Sequence, residues 1–96
     1  MSAYIIFEQE EWDSSWREAY GPPTGALLKK HGGKVLAASR EAERIEGDGK
    51  APTVTVLIEF PDEAAAKAWH SDPEYQPLIA LRNTGSKAEA LMFKGV

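Results

Sequence analysis

Hydrophobic and polar positions along this chain switch between a two-residue and a helical period, and the switches mark its elements. From Ala3 to Glu8 the residues are mainly aromatic or β-branched, and they stop at the acidic cluster Glu8-Gln9-Glu10-Glu11. Tyr4 and Ile6 point one way and Ala3, Ile5 and Phe7 the other, which predicts a strand with both faces covered. Asp13 or Ser14 is placed to cap a helix through Trp16, Arg17, Ala19 and Tyr20. Gly21-Pro22-Pro23 predicts a break or kink, because proline lacks the donor and disfavours helical geometry in the residue before it. A second helical piece is expected from Thr24 to His31, ended by Gly32-Gly33.

Lys34 to Arg40 predicts a second strand, which Glu41 to Glu46 either extends or turns into a long hairpin. Gly47-Asp48-Gly49-Lys50-Ala51-Pro52 supplies the turn. Thr53 to Phe60 carries the strongest strand signal and is expected at the centre of a sheet. Asp62 opens another helix, with Ala65, Ala68 and Trp69 as its buried stripe. Pro73 and Pro77 then interrupt a further helical turn or two through Arg82, and Ala88 to Lys94 reads as the last strand. The order is β-α-β-β-α-β, the split unit of an α+β, ferredoxin-like fold in one domain, residues 1–96. Two helices cover one face of such a sheet. The other would be left bare with apolar residues on it, so a homodimer joined through its sheet faces is expected.

Charge narrows the partners. Eleven basic and fifteen acidic side chains give a net charge of −4, which repels phosphate backbones and anionic lipid, so neither nucleic acid nor membrane is expected as a partner. The absence of cysteine removes disulfides, thiolate nucleophiles and zinc sites built on sulfur. The apolar run at the N-terminus is too short for a signal peptide and lacks its basic flank, which makes a cytoplasmic location the simple expectation. No motif calls for a cofactor, and the two histidines are too far apart in sequence to form a metal motif.

The residues that stand out most are Glu59-Phe60-Pro61-Asp62, Trp69, Ser71, Pro73-Glu74-Tyr75-Gln76 and Leu81-Arg82, preceded by Tyr4-Ile5-Ile6, Tyr20, His31-Gly32-Gly33-Lys34 and Glu46-Gly47, and followed by Gly95-Val96. In this order they resemble the domain-of-unknown-function 1330 family, within the dimeric α+β barrel superfamily. Lys34 stands where that family more often has arginine. The resemblance implies a dimer with a cleft between sheet and helices in each subunit; it implies no particular reaction.

Trp69, Tyr75 and Arg82 follow the central strand on consecutive helical pieces, where they could line that cleft together with Tyr20 of the first helix. Tryptophan and tyrosine supply flat walls and a hydroxyl, and arginine can hold a carboxylate or enolate through paired donors. Each also has a structural reading: Trp69 in the core, Tyr75 stapling the turn after Pro73, Arg82 paired with Glu59, Glu74 or a helix end. His31 and His70 titrate nearest neutrality. His31, at a helix C-terminus, is expected to cap carbonyls, and His70 to be solvated or at the cleft rim. Glu59 points either into the dimer interface or into the cleft, where its pKa would rise unless it were paired.

Three functions fit these residues. The first is binding of a small anionic or aromatic organic molecule by Trp69, Tyr75, Arg82 and Tyr20. The second is a cofactor-free oxygenase or isomerase acting on an activated carbon acid, with His70 or Glu59 as catalytic base. The third is a structural or interaction dimer whose cleft is filled by its own side chains.

Overall fold

The computed structural model describes residues 1–96. Its elements are β1 (Ala3–Glu11), α1 (Arg17–Lys30), β2 (Lys34–Ser39), β3 (Val54–Phe60), α2 (Glu63–Ser71), α3 (Gln76–Arg82) and β4 (Ser86–Lys94). The four strands form one antiparallel sheet in the order β2-β3-β1-β4. This is the ferredoxin-like α+β layout that the element order predicts, with β3 between two partners.

The period of two sorts β1 cleanly. Ala3, Ile5, Phe7 and Gln9 are buried, while Tyr4 and Ile6 are half-buried and Glu8 is exposed. Residues directly opposite one another in an antiparallel ladder share a face. The pairs Tyr4↔Phe93, Ile6↔Leu91, Ile6↔Leu57 and Tyr4↔Glu59 therefore put all of these side chains on the uncovered face. The covered face packs Ile5, Phe7, Ile58 and Phe60 against Leu27 and Leu28 of α1, Ala66 and Trp69 of α2, and Tyr75. Burying each such large side chain stabilises the fold by about 1.5–3 kcal/mol.

β1 outruns its expected end at Glu8, because the acidic cluster continues the ladder as far as the pair Glu11↔Ser86. That same pairing starts β4 two residues earlier than expected. β2 ends at Ser39 and carries a bulge between Val35 and Ala37, and residues 40–53 form neither strand nor helix, so Glu41 to Glu46 does not extend it.

The expected break in α1 does not occur: the helix runs from Arg17 to Lys30 with Pro22 and Pro23 inside it. Trp16, Tyr20, Thr24 and Leu28 recur every fourth residue on the side facing the sheet, and this packing holds both halves in one helix. The prolines are exposed, as are Glu18 and Ala19, whose carbonyls lose their usual N–H donors on the solvent side of the helix, where water can donate instead. The expected cap is also different. Asp13 Oδ1 accepts from the Ser15 backbone N–H at 2.8 Å, forming a local turn, and the residue before the helix is Trp16, with no side-chain cap. Gly32, at φ 75°, ends the helix in the left-handed geometry expected of a C-cap glycine.

α2 begins as expected, with Asp62 Oδ1 accepting from Ala65 N at 2.8 Å. Its buried stripe is Ala66 and Trp69, with Ala65 half-buried; Ala68, expected inside, is exposed. Pro77 is tolerated because it lies in the first turn of α3, where backbone N–H groups have no intrahelical partner.

Candidate functional site

A cavity of about 240 Å³ opens between α1 and the sheet. Its helix wall is Trp16, Tyr20, Thr24 and Leu28 with Gly21 and Gly25, and its floor is Phe7 and Gln9 of β1, Val54, Val56 and Ile58 of β3, and Val35 of β2. Trp69 closes the α2 end. The space exists because α1 presents Gly21, Thr24 and Gly25 where larger residues would reach the sheet.

This apolar chamber carries polar atoms with no partner in the chain. Trp16 Nε1, Arg17 Nη2, Thr24 Oγ1 and Trp69 Nε1 are all buried and unpaired, and all four residues line the cavity. Native interiors pair most such groups, and an unpaired one costs about 1–3 kcal/mol. Arg17 is held in place through Nε, 2.6 Å from Glu11 Oε2.

Behind the cavity wall lies a short chain of hydrogen bonds. The Tyr20 and Tyr75 hydroxyls are 2.6 Å apart, and Arg82 Nη1 donates to the Tyr75 hydroxyl at 3.1 Å. Arg82 is only 5 % exposed, its Nε is unpaired, and no carboxylate lies within salt-bridge reach of it. Its guanidinium sits 5.4 Å from the centroid of the Phe7 ring, a contact with the ring face that offsets part of the cost of burying the charge. Burial pushes the Tyr75 hydroxyl well above the usual phenol range, and the neighbouring Tyr20 adds to the shift. Tyr75 therefore stays protonated.

The structure thus brings four of the residues expected at the site into one cluster. Tyr20 and Trp69 line the cavity; Tyr75 and Arg82 stand one layer behind, with Trp69 and Tyr75 ring centroids 4.4 Å apart. None of the carboxylate partners expected for Arg82 is there. Glu59 is on the uncovered sheet face, accepting from the Tyr4 hydroxyl at 3.2 Å, and does not share the cavity with the other four. His70 is exposed overall, but one side of its ring turns in against Tyr75 and over a groove with Ile5, Ala90 and Met92 of the sheet. Burial of its ring, and then the charge of Arg82, hold its pKa below the ordinary histidine value. His31 does not cap carbonyls with its ring. Its Nε2 is 2.8 Å from Asp72 Oδ2, which also accepts from Lys30 Nζ at 3.0 Å.

Trp16, Arg17 and Thr24 belong to the cavity wall and are not among the expected site residues. The spacing of 16, 20, 24 and 28 is the signal that finds Trp16 and Thr24, and reading Gly21-Pro22-Pro23 as a break divides it; Arg17 lies off that spacing. A further hollow of about 200 Å³, lined by Glu8, Gln9, Glu10, Lys50, Pro52, Lys87 and Glu89, has no apolar wall.

One sheet in the order β2-β3-β1-β4, three helices on one face and a cleft beneath α1 define a ferredoxin-like α+β protein. The chain belongs to the family described as Domain of unknown function (DUF1330), which matches residues 2–96. Among solved structures it is similar to the RPA0582 protein of unknown function from Rhodopseudomonas palustris, with a TM-score of 0.79 and 17% identity over 99% of this chain and 82% of that one. It is also similar to SnoaB, a cofactor-independent oxygenase from Streptomyces nogalater, with a TM-score of 0.70 and 14% identity over 99% of this chain and 93% of that one. A third is a dimeric protein of unknown function and ferredoxin-like fold from Bacteroides fragilis, with a TM-score of 0.66 and 12% identity over 98% of this chain and 96% of that one. At these identities the likeness is one of fold. No curated protein matches the chain. No helix is long and apolar enough to cross a membrane.

Proposed function

We propose that the cleft under α1 binds a small aromatic molecule bearing an anionic or strongly accepting oxygen, in a protein that works as a homodimer joined through its uncovered sheet faces. The observation that carries the binding reading is Arg82: a buried guanidinium with no carboxylate partner, linked through Tyr75 to Tyr20, which lines the cavity. A buried charge left uncompensated by the chain is costly, and an acceptor in the cleft offsets that cost. The dense packing of Trp69 and Tyr75 agrees equally with a purely structural dimer, but a buried Arg82 without a carboxylate does not.

A thermal-shift screen of phenols, quinones and aromatic acids tests the binding reading, with Gly25→Met as the blocking variant. A Cβ at Gly25 meets nothing within 4 Å, so the helix accommodates a longer side chain at a position that lines the cleft. Hits that stabilise the native chain and not the variant support the cleft; hits that stabilise both equally remove it.

The second reading, a cofactor-free oxygenase or isomerase, is favoured by the place of His70, whose ring stands 6.0 Å from that of Tyr75 at a groove beside α2, outside the cleft under α1, and can act there as a base. Glu59, the other candidate base, would have to act from the opposite face. Incubation with quinols, lactones and related carbon acids under oxygen and under nitrogen, with product analysis, tests this reading; turnover that survived His70→Ala would remove the base.

A further inference from the structure

The guanidinium of Arg82 offers a ligand no fork. One nitrogen donates to Tyr75, Nε is buried, the plane lies against Phe7, and the residue does not line the cavity. The paired donors that hold a carboxylate are therefore out of reach. What reaches the cleft is the far end of a hydrogen-bond chain rooted in that charge. Arginine has only donors, so the Tyr75 oxygen accepts from Arg82. Tyr75 is fully buried, and its own proton has one acceptor in range, the Tyr20 oxygen at 2.6 Å. The reverse orientation would leave the Tyr75 proton unpaired in the interior, which is the costly arrangement. The proton left free is that of Tyr20, which is half-buried at the cavity wall, and each bond of such a chain polarises the next.

We propose, resting on the cleft reading above, that this site selects a single oxyanion on an aromatic ring, a phenolate or the enolate of a conjugated ketone, over a carboxylate. Tyr20 makes the contact, and Tyr75 and Arg82 act through Tyr20 as positioning residues. The rest of the lining suits the same ligand, since Trp16 and Trp69 supply flat apolar walls beside Phe7 and the valines of β3. A cavity of about 240 Å³ exceeds the roughly 150 Å³ known to hold benzene, so a one-ring or small two-ring ligand fits.

The test compares 4-nitrophenol with 4-nitrobenzoate, which share a ring and a substituent and differ in the anion. Bound nitrophenol is expected to be ionised, its visible phenolate absorption rising at a pH below that of the free phenol, and at a pH where both compounds are ionised it is expected to bind at least about tenfold tighter than the benzoate. Tyr20→Phe, folded by circular dichroism, should lose both the absorbance shift and the preference. Arg82→Gln should lose the absorbance shift while keeping weaker binding; if it does not fold, Tyr20→Phe alone decides. Benzoate binding as tightly as the phenol, or a Tyr20→Phe variant that keeps the preference, overturns this selectivity and leaves the cleft reading standing. Failure of both compounds to bind at millimolar concentration overturns both.

Discussion

Asp72 shows how much one buried side chain can organise. It accepts from His31 and Lys30 at the end of α1 and from the Glu74 backbone N–H at 2.9 Å, fixing the start of the turn into α3. These bonds, the His31 contact first, hold its carboxyl well below the usual carboxylate range. A pKa lowered in the folded state means that the unfolded chain binds the proton more readily, so the stabilisation is complete above the unfolded value near 3.8 and is lost as pH falls below it towards the folded value. Asp72→Asn is expected to lower the melting temperature at pH 7, and the gap to the native chain should narrow steadily below about pH 4. A gap independent of pH would show that the carboxylate is not the source. Sequence reasoning placed His31 at the helix end but assigned it the wrong partner, because a contact across 41 positions leaves no local trace.

Elements were legible where their period was uninterrupted. β3 and the start of α2 follow from Thr53 to Phe60 and from the Asp62 cap, whereas the continuity of α1 is not legible locally, because tertiary packing outweighs the chemistry of Pro22 and Pro23. The same limit hid Trp16 and Thr24 from the site, while Trp69, Tyr75 and Arg82 could be picked out from their order after the central strand. The junction between β1 and α1 depends on a close approach: Gly85 O accepts from the backbone N–H of both Trp12 and Asp13, at 2.9 and 3.1 Å. A Cβ at Gly85 would overlap the Asp13 carbonyl oxygen and come within 2.7 Å of Trp16 Cδ1. Gly85→Ala should therefore destabilise by about 2–3 kcal/mol, the scale of forced overpacking, in urea unfolding. Loss below about 0.5 kcal/mol, the range of a neutral surface change, would show that the loop yields.

At the scale of the whole molecule, the uncovered sheet face carries Leu91 at 70 % and Phe93 at 49 % exposure beside Tyr4, Ile6 and Leu57. Apolar residues grouped in this way point to a covering partner, and a second copy of the same sheet is the closed solution. Light scattering is expected to give about twice the chain mass of 10.5 kDa, and Leu91→Lys to shift the population towards the monomer. A native chain that stays at the single-chain mass at micromolar concentration would contradict the dimer.

Sheet and helices enclose the cleft together, and ligand is expected to enter beneath α1 and not elsewhere. The three tryptophans test it within one molecule: Trp16 and Trp69 line the cavity, and Trp12 stands 66 % exposed outside it. In a nitrogen–proton correlation spectrum titrated with 4-nitrophenol, the indole signals of Trp16 and Trp69 are expected to move together to saturation while that of Trp12 stays in place. Movement of Trp12 alone, or three unmoved signals in the presence of bound ligand, would contradict the account.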